Sequence, residues 1–228
     1  MEKITVRQVS YSYRTKYQTV HAVKDVTCTF EAGKVYAIMG ESGSGKSTFL
    51  SLLAGLDLPD GGDLMVDGTD IREKDRDDYR KSEASVVYQA FHLLPLLTVE
   101  ENVMLPMEMN GVPKAERKKR ATEFLKKVGL PKEAHRKFPK MMSGGEQQRV
   151  AIARSLAAGG RILLADEPTG NLDTENGQNV VNILLELAHK EGYLVVLVTH
   201  NPDVAAQADV AYRMKDGVLA LTDGMRVP

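Results

Sequence analysis

The 228-residue chain has a single cysteine, Cys28. A lone thiol excludes an internal disulfide framework and fits a reducing compartment; the side chain reads as a small apolar core residue. Net charge is nearly absent: 30 Lys and Arg face 31 Asp and Glu, leaving −1. That balance predicts no broad electrostatic footprint for nucleic acid. Long apolar runs are missing as well. The most apolar stretches, 162–165 and 194–198, fall far short of the ~20 residues that cross a bilayer. The start Met1-Glu2-Lys3-Ile4 opens into alternating polar and apolar residues, unlike the charged and apolar regions of a signal peptide. The expectation is a soluble cytoplasmic protein whose membrane-spanning part, if it works at a membrane, comes from a partner. No internal repeat or low-complexity stretch is present. A chain of this length suits one α/β domain that buries roughly 70% of its unfolded surface, so a core is available without disulfides or metals.

What is there alternates in period. Ile4, Val6 and Val9 mark one β segment, and Val23, Val26, Cys28 and Phe30 another; 35–39 reads as a buried strand. Ala121, Phe124, Leu125 and Val128 follow helical spacing, with Gly129 as the stop; Val180, Ile183, Leu184 and Leu187 repeat that spacing in a helix after Asn176. A helix is expected from about Gln147 to Ala158, then a strand at 162–165 and another at 194–199. The segment from Glu100 to Pro139 reads as helical throughout. The simplest architecture is a parallel α/β core with a helical insertion. The charged runs 72–81 and 114–120 read as solvated faces, and Met104, Met107 and Met109 beside Pro106 as packing residues.

Chemistry concentrates in three places. Gly40-Glu41-Ser42-Gly43-Ser44-Gly45-Lys46-Ser47 fits the phosphate-loop pattern GxxxxGKS/T between a strand and a helix. Its glycines let successive N–H groups turn toward phosphate oxygens and the helix start adds its dipole. Lys46 should reach the β- and γ-phosphates, and the Ser47 hydroxyl should bind Mg²⁺. The strand ending in Asp166-Glu167 can deliver Asp166 to the metal and Glu167 to a water attacking the γ-phosphate. His200 follows the last apolar strand, at the end of the sheet where a γ-phosphate would lie; His21, His92, His135 and His189 read as surface or packing residues. Ser143-Gly144-Gly145-Glu146-Gln147 opens another helix, either as a plain capping box or as a second anion-binding terminus. Two phosphate-binding helix starts with one phosphate loop suit two copies paired head to tail, each giving its Ser-Gly-Gly helix to the other's ATP.

With these motifs in order, the sequence resembles the nucleotide-binding subunit of ABC (ATP-binding cassette) transporters over nearly its whole length. The resemblance implies the family's P-loop NTPase fold, with an N-terminal antiparallel β subdomain and a helical insertion. It also implies one domain, 1–228, with core and β subdomain at 1–88 and 160–228 and the helical part at about 89–159. Tyr13 takes the place of the aromatic residue that stacks on adenine, with Tyr11 as its competitor. Gly40, Ser42, Gly43, Ser44, Gly45, Lys46, Ser47 and Thr48 take the phosphate-binding places. Gln89 matches the glutamine that senses Mg²⁺ and the membrane partner, and so joins Ser47 and Asp166 as metal ligands. Ser143, Gly144, Gly145 and Glu146 match the signature, with Met142 where leucine is commoner, and Asp173 lies in the loop that communicates across the dimer. Glu167, His200 and Lys46 take the catalytic places. Glu41 stands where proline or alanine is more familiar and is expected to point away from the phosphates.

Closer wording, Leu164 to Asp173 and Thr199-His200-Asn201-Pro202, resembles the macrolide-exporter (MacB) and lipoprotein-release (LolD) group. That likeness implies an ATP-hydrolysing homodimer using ATP and Mg²⁺, peripheral at the cytoplasmic face of the membrane through a separate permease of the FtsX/MacB type. An FtsE-like ATPase that regulates an envelope process without moving a cargo is the alternative. A chain ending at Pro228 is expected to carry neither a fused membrane region nor a regulatory domain. A P-loop GTPase fits less well, since no asparagine is followed by lysine as its guanine-reading string requires. A soluble repair or translation cassette would need a long coiled-coil insertion or a second cassette.

Overall fold

The structure is a computed structural model describing residues 2–222; Met1 and residues 223–228, which close the expected 1–228 span, lie outside the described residues. Strands β1 (Glu2–Arg14) and β2 (Thr19–Glu31) form an antiparallel pair, and β3 (Val35–Met39) leads into α1 (Lys46–Leu53). Next come β4 (Gly61–Val66), β5 (Thr69–Asp70), α2 (Arg76–Ser82) and β6 (Ala84–Tyr88). Three helices follow before the next strand: α3 (Val99–Met109), α4 (Lys114–Lys127) and α5 (Gly144–Ala157). The chain then alternates β7 (Ile162–Asp166), α6 (Thr174–Glu191), β8 (Leu194–Thr199), α7 (Pro202–Ala205), β9 (Val210–Lys215) and β10 (Val218–Leu221).

Two sheets result. One is antiparallel, in the order β2-β1-β4-β5; the other runs β10-β9-β3-β8-β7-β6 and is parallel except for β10. The central strands β3, β7 and β8 are short apolar runs because both their faces are covered. Their period-2 alternation divides the interior. Tyr36, Ile38, Leu164, Val196 and Val198 pack toward α1 and the antiparallel sheet, where Phe30, Phe49 and Leu64 lie. Ala37, Leu163, Ala165, Val195 and Leu197 pack on the other side, in the core that α3–α6 fill with Val103, Leu125, Ile152 and Leu184. Cys28 lies in the first core, and burial pushes its thiol up to about 12, as its reading as a core residue expects.

The helices begin where their caps put them. Ser143 starts α5 three residues before the periodicity does, and Asp173 starts α6 ahead of Asn176. Helix α4 ends as expected at Gly129 (φ 72°), where the Gly129 N–H donates to the Lys126 carbonyl and the Leu130 N–H to that of Leu125. One expectation needs correction. Met107 is buried, but Met109 is 65% exposed, because α3 ends there and its last turn projects past the core.

Candidate active site

The phosphate-loop run turns sharply between β3 and α1. Gly45 sits at φ 104° as the N-cap residue, and no side chain caps α1, whereas α2, α3, α5, α6 and α7 each begin with a side-chain cap. The turn has no room for larger residues: a Cβ on Gly45 would lie 2.1 Å from the Ala22 carbonyl oxygen, and one on Gly40 2.2 Å from that of Met214. Lys46 is buried and its Nζ donates to the carbonyls of Gly40 (2.9 Å) and Glu41 (2.8 Å), folding the ammonium back over the loop. The buried Ser44 Oγ has no hydrogen-bond partner. A first turn of free N–H groups, an ammonium and an unsatisfied hydroxyl make an anion cradle.

The ends of β7 and β8 bring the acids. Ser47 Oγ donates to Asp166 Oδ1 at 3.3 Å. Burial pushes the Asp166 carboxyl above its ordinary value, the Ser47 hydroxyl opposes that rise, and neighbouring Glu167 adds to it. Glu167 leaves the strand with a left-handed backbone (φ 46°), its N–H donating to the Val198 carbonyl. A non-glycine residue held there costs about 1–3 kcal/mol. The kink turns two consecutive carboxylates to different neighbours: Asp166 to Ser47, and Glu167 to His200, whose Nδ1 lies 3.0 Å from Glu167 Oε2.

A cleft of about 700 Å³ joins these parts. Its walls include Gly40–Gly43, Gly45–Thr48, Glu167 and His200, with Tyr13 at the far side. The Tyr13 hydroxyl lies 3.2 Å from Thr48 Oγ1, whereas Tyr11 bonds Asp57 and meets Tyr13 edge-on without lining the cleft. Exposed Glu41 lines it too, and meets Lys46 through its carbonyl oxygen. Sequence reasoning missed the rest of the wall: Val20, His21, Ala22 and Lys24 of β2, and Asp216-Gly217 between β9 and β10. These residues form no local motif; strand pairing alone brings them here.

The remaining expected site residues lie outside that cleft. Gln89 Nε2 donates to Asn171 Oδ1 and Asn171 Nδ2 returns a bond to the Gln89 carbonyl, both at 3.1 Å. Gly170 separates this pair from Glu167, since a Cβ there would meet Gln89 Nε2 at 2.7 Å and Glu167 Oε2 at 3.3 Å. Beyond Gln89 the backbone is left-handed at Phe91 and His92, and the Arg154 guanidinium on α5 donates to both their carbonyls. Ser143 and Glu146 cap α5 reciprocally, and the Ser143 N–H holds the Glu146 carboxyl below its ordinary value. A Cβ on Gly145 would lie 2.4 Å from Asn176 Oδ1; Asn176 in turn bonds Asp173 through its N–H and side chain. The signature segment thus packs against the 171–176 turn of its own chain.

Residues 23–170 match the protein family described as ABC transporter. The chain belongs to that family. It is an ATP-binding subunit and an ABC ATPase. The uncharacterized ABC transporter ATP-binding protein YvrO of Bacillus subtilis (strain 168) is 44% identical over 224 residues, 96% of each chain. The lipoprotein-releasing system ATP-binding protein LolD 2 of Rhodopirellula baltica is 42% identical, over 95% of this chain and 88% of LolD 2. The macrolide export ATP-binding/permease protein MacB of Aggregatibacter actinomycetemcomitans is also 42% identical, but this chain spans only about a third (34%) of its length. Among solved structures, the dimeric bacterial ABC transporter cassette MJ0796 superimposes with a TM-score of 0.86 at 38% identity, covering 95% of this chain and 96% of that one. A post-hydrolysis dimer of MJ0796 bound to ADP and Pi gives the same TM-score at 36% identity, covering 97% and 99%.

Proposed function

We propose that two copies of this cassette close head to tail on two ATP molecules and drive a separate membrane subunit of the MacB/LolD type. The observation that carries the reading is the division of the site. Phosphate loop, Glu167 and His200 line one cleft, while Ser143, Gly144 and Gly145 lie outside it. A second copy completes each cleft by laying its Ser-Gly-Gly helix start on the γ-phosphate, as the dimeric form of MJ0796 supports.

Tyr13 stacks on the adenine. Lys46 exchanges its loop carbonyls for phosphate oxygens, and the free N–H groups at Gly45 to Thr48 take the remaining charge. The Ser47 hydroxyl and the half-buried Asp166 carboxylate are hard oxygen donors facing each other, which suits Mg²⁺; Gln89 would join them. The ion, when bound, supplies positive charge beside the phosphates. Glu167 accepts the proton of the attacking water, and His200 holds that carboxylate and the γ-phosphate in line. Catalysis of this kind is mostly positioning and electrostatics.

The membrane subunit docks on a groove of about 380 Å³ beside the Gln89 loop, lined by Leu56, Tyr88, Leu94, Pro106, Met109 and Arg154. Among the described residues no helix is long and apolar enough to cross a membrane. YvrO and LolD 2, matched over most of their length, are likewise named as ATP-binding proteins, while MacB joins ATP binding to a permease. On this reading the cassette works at the cytoplasmic face, held there by its partner, and the kinship with LolD 2 and MacB supports it.

Glu167→Gln tests the core of this reading. Turnover should fall at least about a hundredfold, while ATP converts the variant from monomer to dimer in size-exclusion chromatography. Hydrolysis at the parental rate would remove Glu167 from the chemistry, and a persistent monomer would remove head-to-tail closure. Tagged Glu167→Gln protein drawn from native membranes should bring a permease with it; recovery with ribosomes or DNA instead would remove the transporter role.

A further inference from the structure

The near-zero net charge hides a strong separation. Residues 114–140 carry eleven Lys and Arg against three Glu, a local charge of +8, so the rest of the chain stands at −9. Helix α4 and the turns after it hold this excess, and intramolecular pairing uses little of it. Arg117 pairs with Glu108, Arg120 with Glu116 and Lys127 with Glu191, while Lys137 acts on Glu146. Lys114, Lys118, Lys119 and Lys126 on α4, with Lys132, Arg136 and Lys140 beyond it, are exposed and have no ion pair among the described residues.

The arrangement is directional. Ala121 and Leu125 fix the buried stripe of α4; at about 3.6 residues per turn Lys114, Lys118, Lys119 and Lys126 fall within one arc of roughly 140° that starts at that stripe, a row down one flank about 18 Å long, while Glu116 and Glu123 lie on the outer side. On its inner side α4 packs against α3. Helix α3 gives Leu105, Pro106 and Met109 to the proposed docking groove, so the helix that carries the lysines is the direct neighbour of the one that lines the groove.

We infer that this row is a second, electrostatic contact with the membrane, taking the anionic headgroups of the cytoplasmic leaflet beside the docked permease. The inference rests on the membrane-subunit reading above. Six of the seven unpaired cations are lysine. A strongly hydrated point charge on a flexible stem suits a fluid layer of phosphates, whereas fixed acidic or phosphate targets favour the planar guanidinium fork. Clusters of four to eight such residues on a helix are typical of attraction to anionic lipid, and the +8 segment can gain from it while the −9 remainder keeps the orientation.

The test is co-sedimentation of the whole chain with vesicles of phosphatidylcholine alone or mixed with phosphatidylglycerol. Wild-type protein should partition to the mixed vesicles only and come off as salt rises. Changing Lys114, Lys118, Lys119 and Lys126 together to Gln should lower that partition at least about twentyfold, since each lysine near an anionic surface contributes roughly a fivefold factor. ATP hydrolysis in solution should be unchanged, which shows the variant folded. Equal partition of wild type and variant, or equal binding to neutral vesicles, overturns the inference. Retention on RNA without vesicle binding also overturns it, in favour of a nucleic-acid surface. A Met109→Glu variant separates the two readings. It should lose the co-purified permease and keep vesicle binding; if permease capture holds while vesicles are ignored, only the lipid contact falls.

Discussion

Helices α1 and α5 both begin at a glycine-rich, serine-containing run, yet they begin in opposite ways. At α1 the first turn has no side-chain cap, a left-handed glycine at N-cap, and a lysine folded over the loop. At α5 the first turn is closed by a reciprocal Ser143–Glu146 box. An uncapped start is unsatisfied until a ligand arrives, so it belongs in a cleft built by its own chain. A capped start is stable alone and can wait on the surface for a second chain. The difference shows which half of a shared site has to be complete without ligand and which does not.

Glycine substitution should break the comparison most strongly. Gly45→Ala sets a Cβ against the Ala22 backbone in a left-handed conformation, and should abolish nucleotide binding, measured with a fluorescent ATP analogue. Gly145→Ala meets the Asn176 side chain instead, and should cost about 1–3 kcal/mol in urea unfolding. It should leave nucleotide binding by the monomer intact and remove turnover. Loss of monomer binding in Gly145→Ala would mean that the two starts serve the same cleft.

Capping residues sharpen it further. Ser143→Ala should lose about 1 kcal/mol of stability and most ATPase activity. Thr98→Ala, which removes the same reciprocal cap from α3, should lose a similar amount of stability and no activity. Equal activity in both variants would reduce the α5 box to a structural cap.

The smallest effect is in pH. Glu146 has its pKa lowered mainly by the Ser143 N–H. A depressed carboxylate contributes stability that is present above the unfolded glutamate value, about 4.3, and is lost as pH falls through the folded value. The stability difference between wild type and Glu146→Gln should therefore be constant from neutral pH to about pH 5 and shrink below pH 4 in urea titrations.

Much of this was legible because it is local. The central strands are short apolar runs, the glycines of the phosphate loop sit between a strand and a helix, and capping boxes announce themselves within four residues. Strand β4 was silent because it opens on Gly61-Gly62, and β9 because Arg213 and Lys215 cut its apolar run short. The left-handed turn at Glu167 was silent too, since nothing in Asp-Glu-Pro specifies it without the Val198 carbonyl from the neighbouring strand. Val20 to Lys24 reach the cleft by pairing with β1, and the Gln89–Asn171 exchange spans 82 residues. Both are consequences of topology rather than of neighbouring sequence.

Strand β3 pairs with β8 and β9, and Val35 finds its partner Val195 only after about 160 further residues of chain have been made. At roughly 5–20 residues per second of synthesis, that is about ten to thirty seconds on the ribosome. Throughout that interval the apolar strand before the phosphate loop has no neighbour on either edge, and the cleft lacks His200 and its Asp216-Gly217 wall. A nascent chain therefore cannot begin consuming nucleotide, and the growing polypeptide must shield an unpaired strand until its last third emerges.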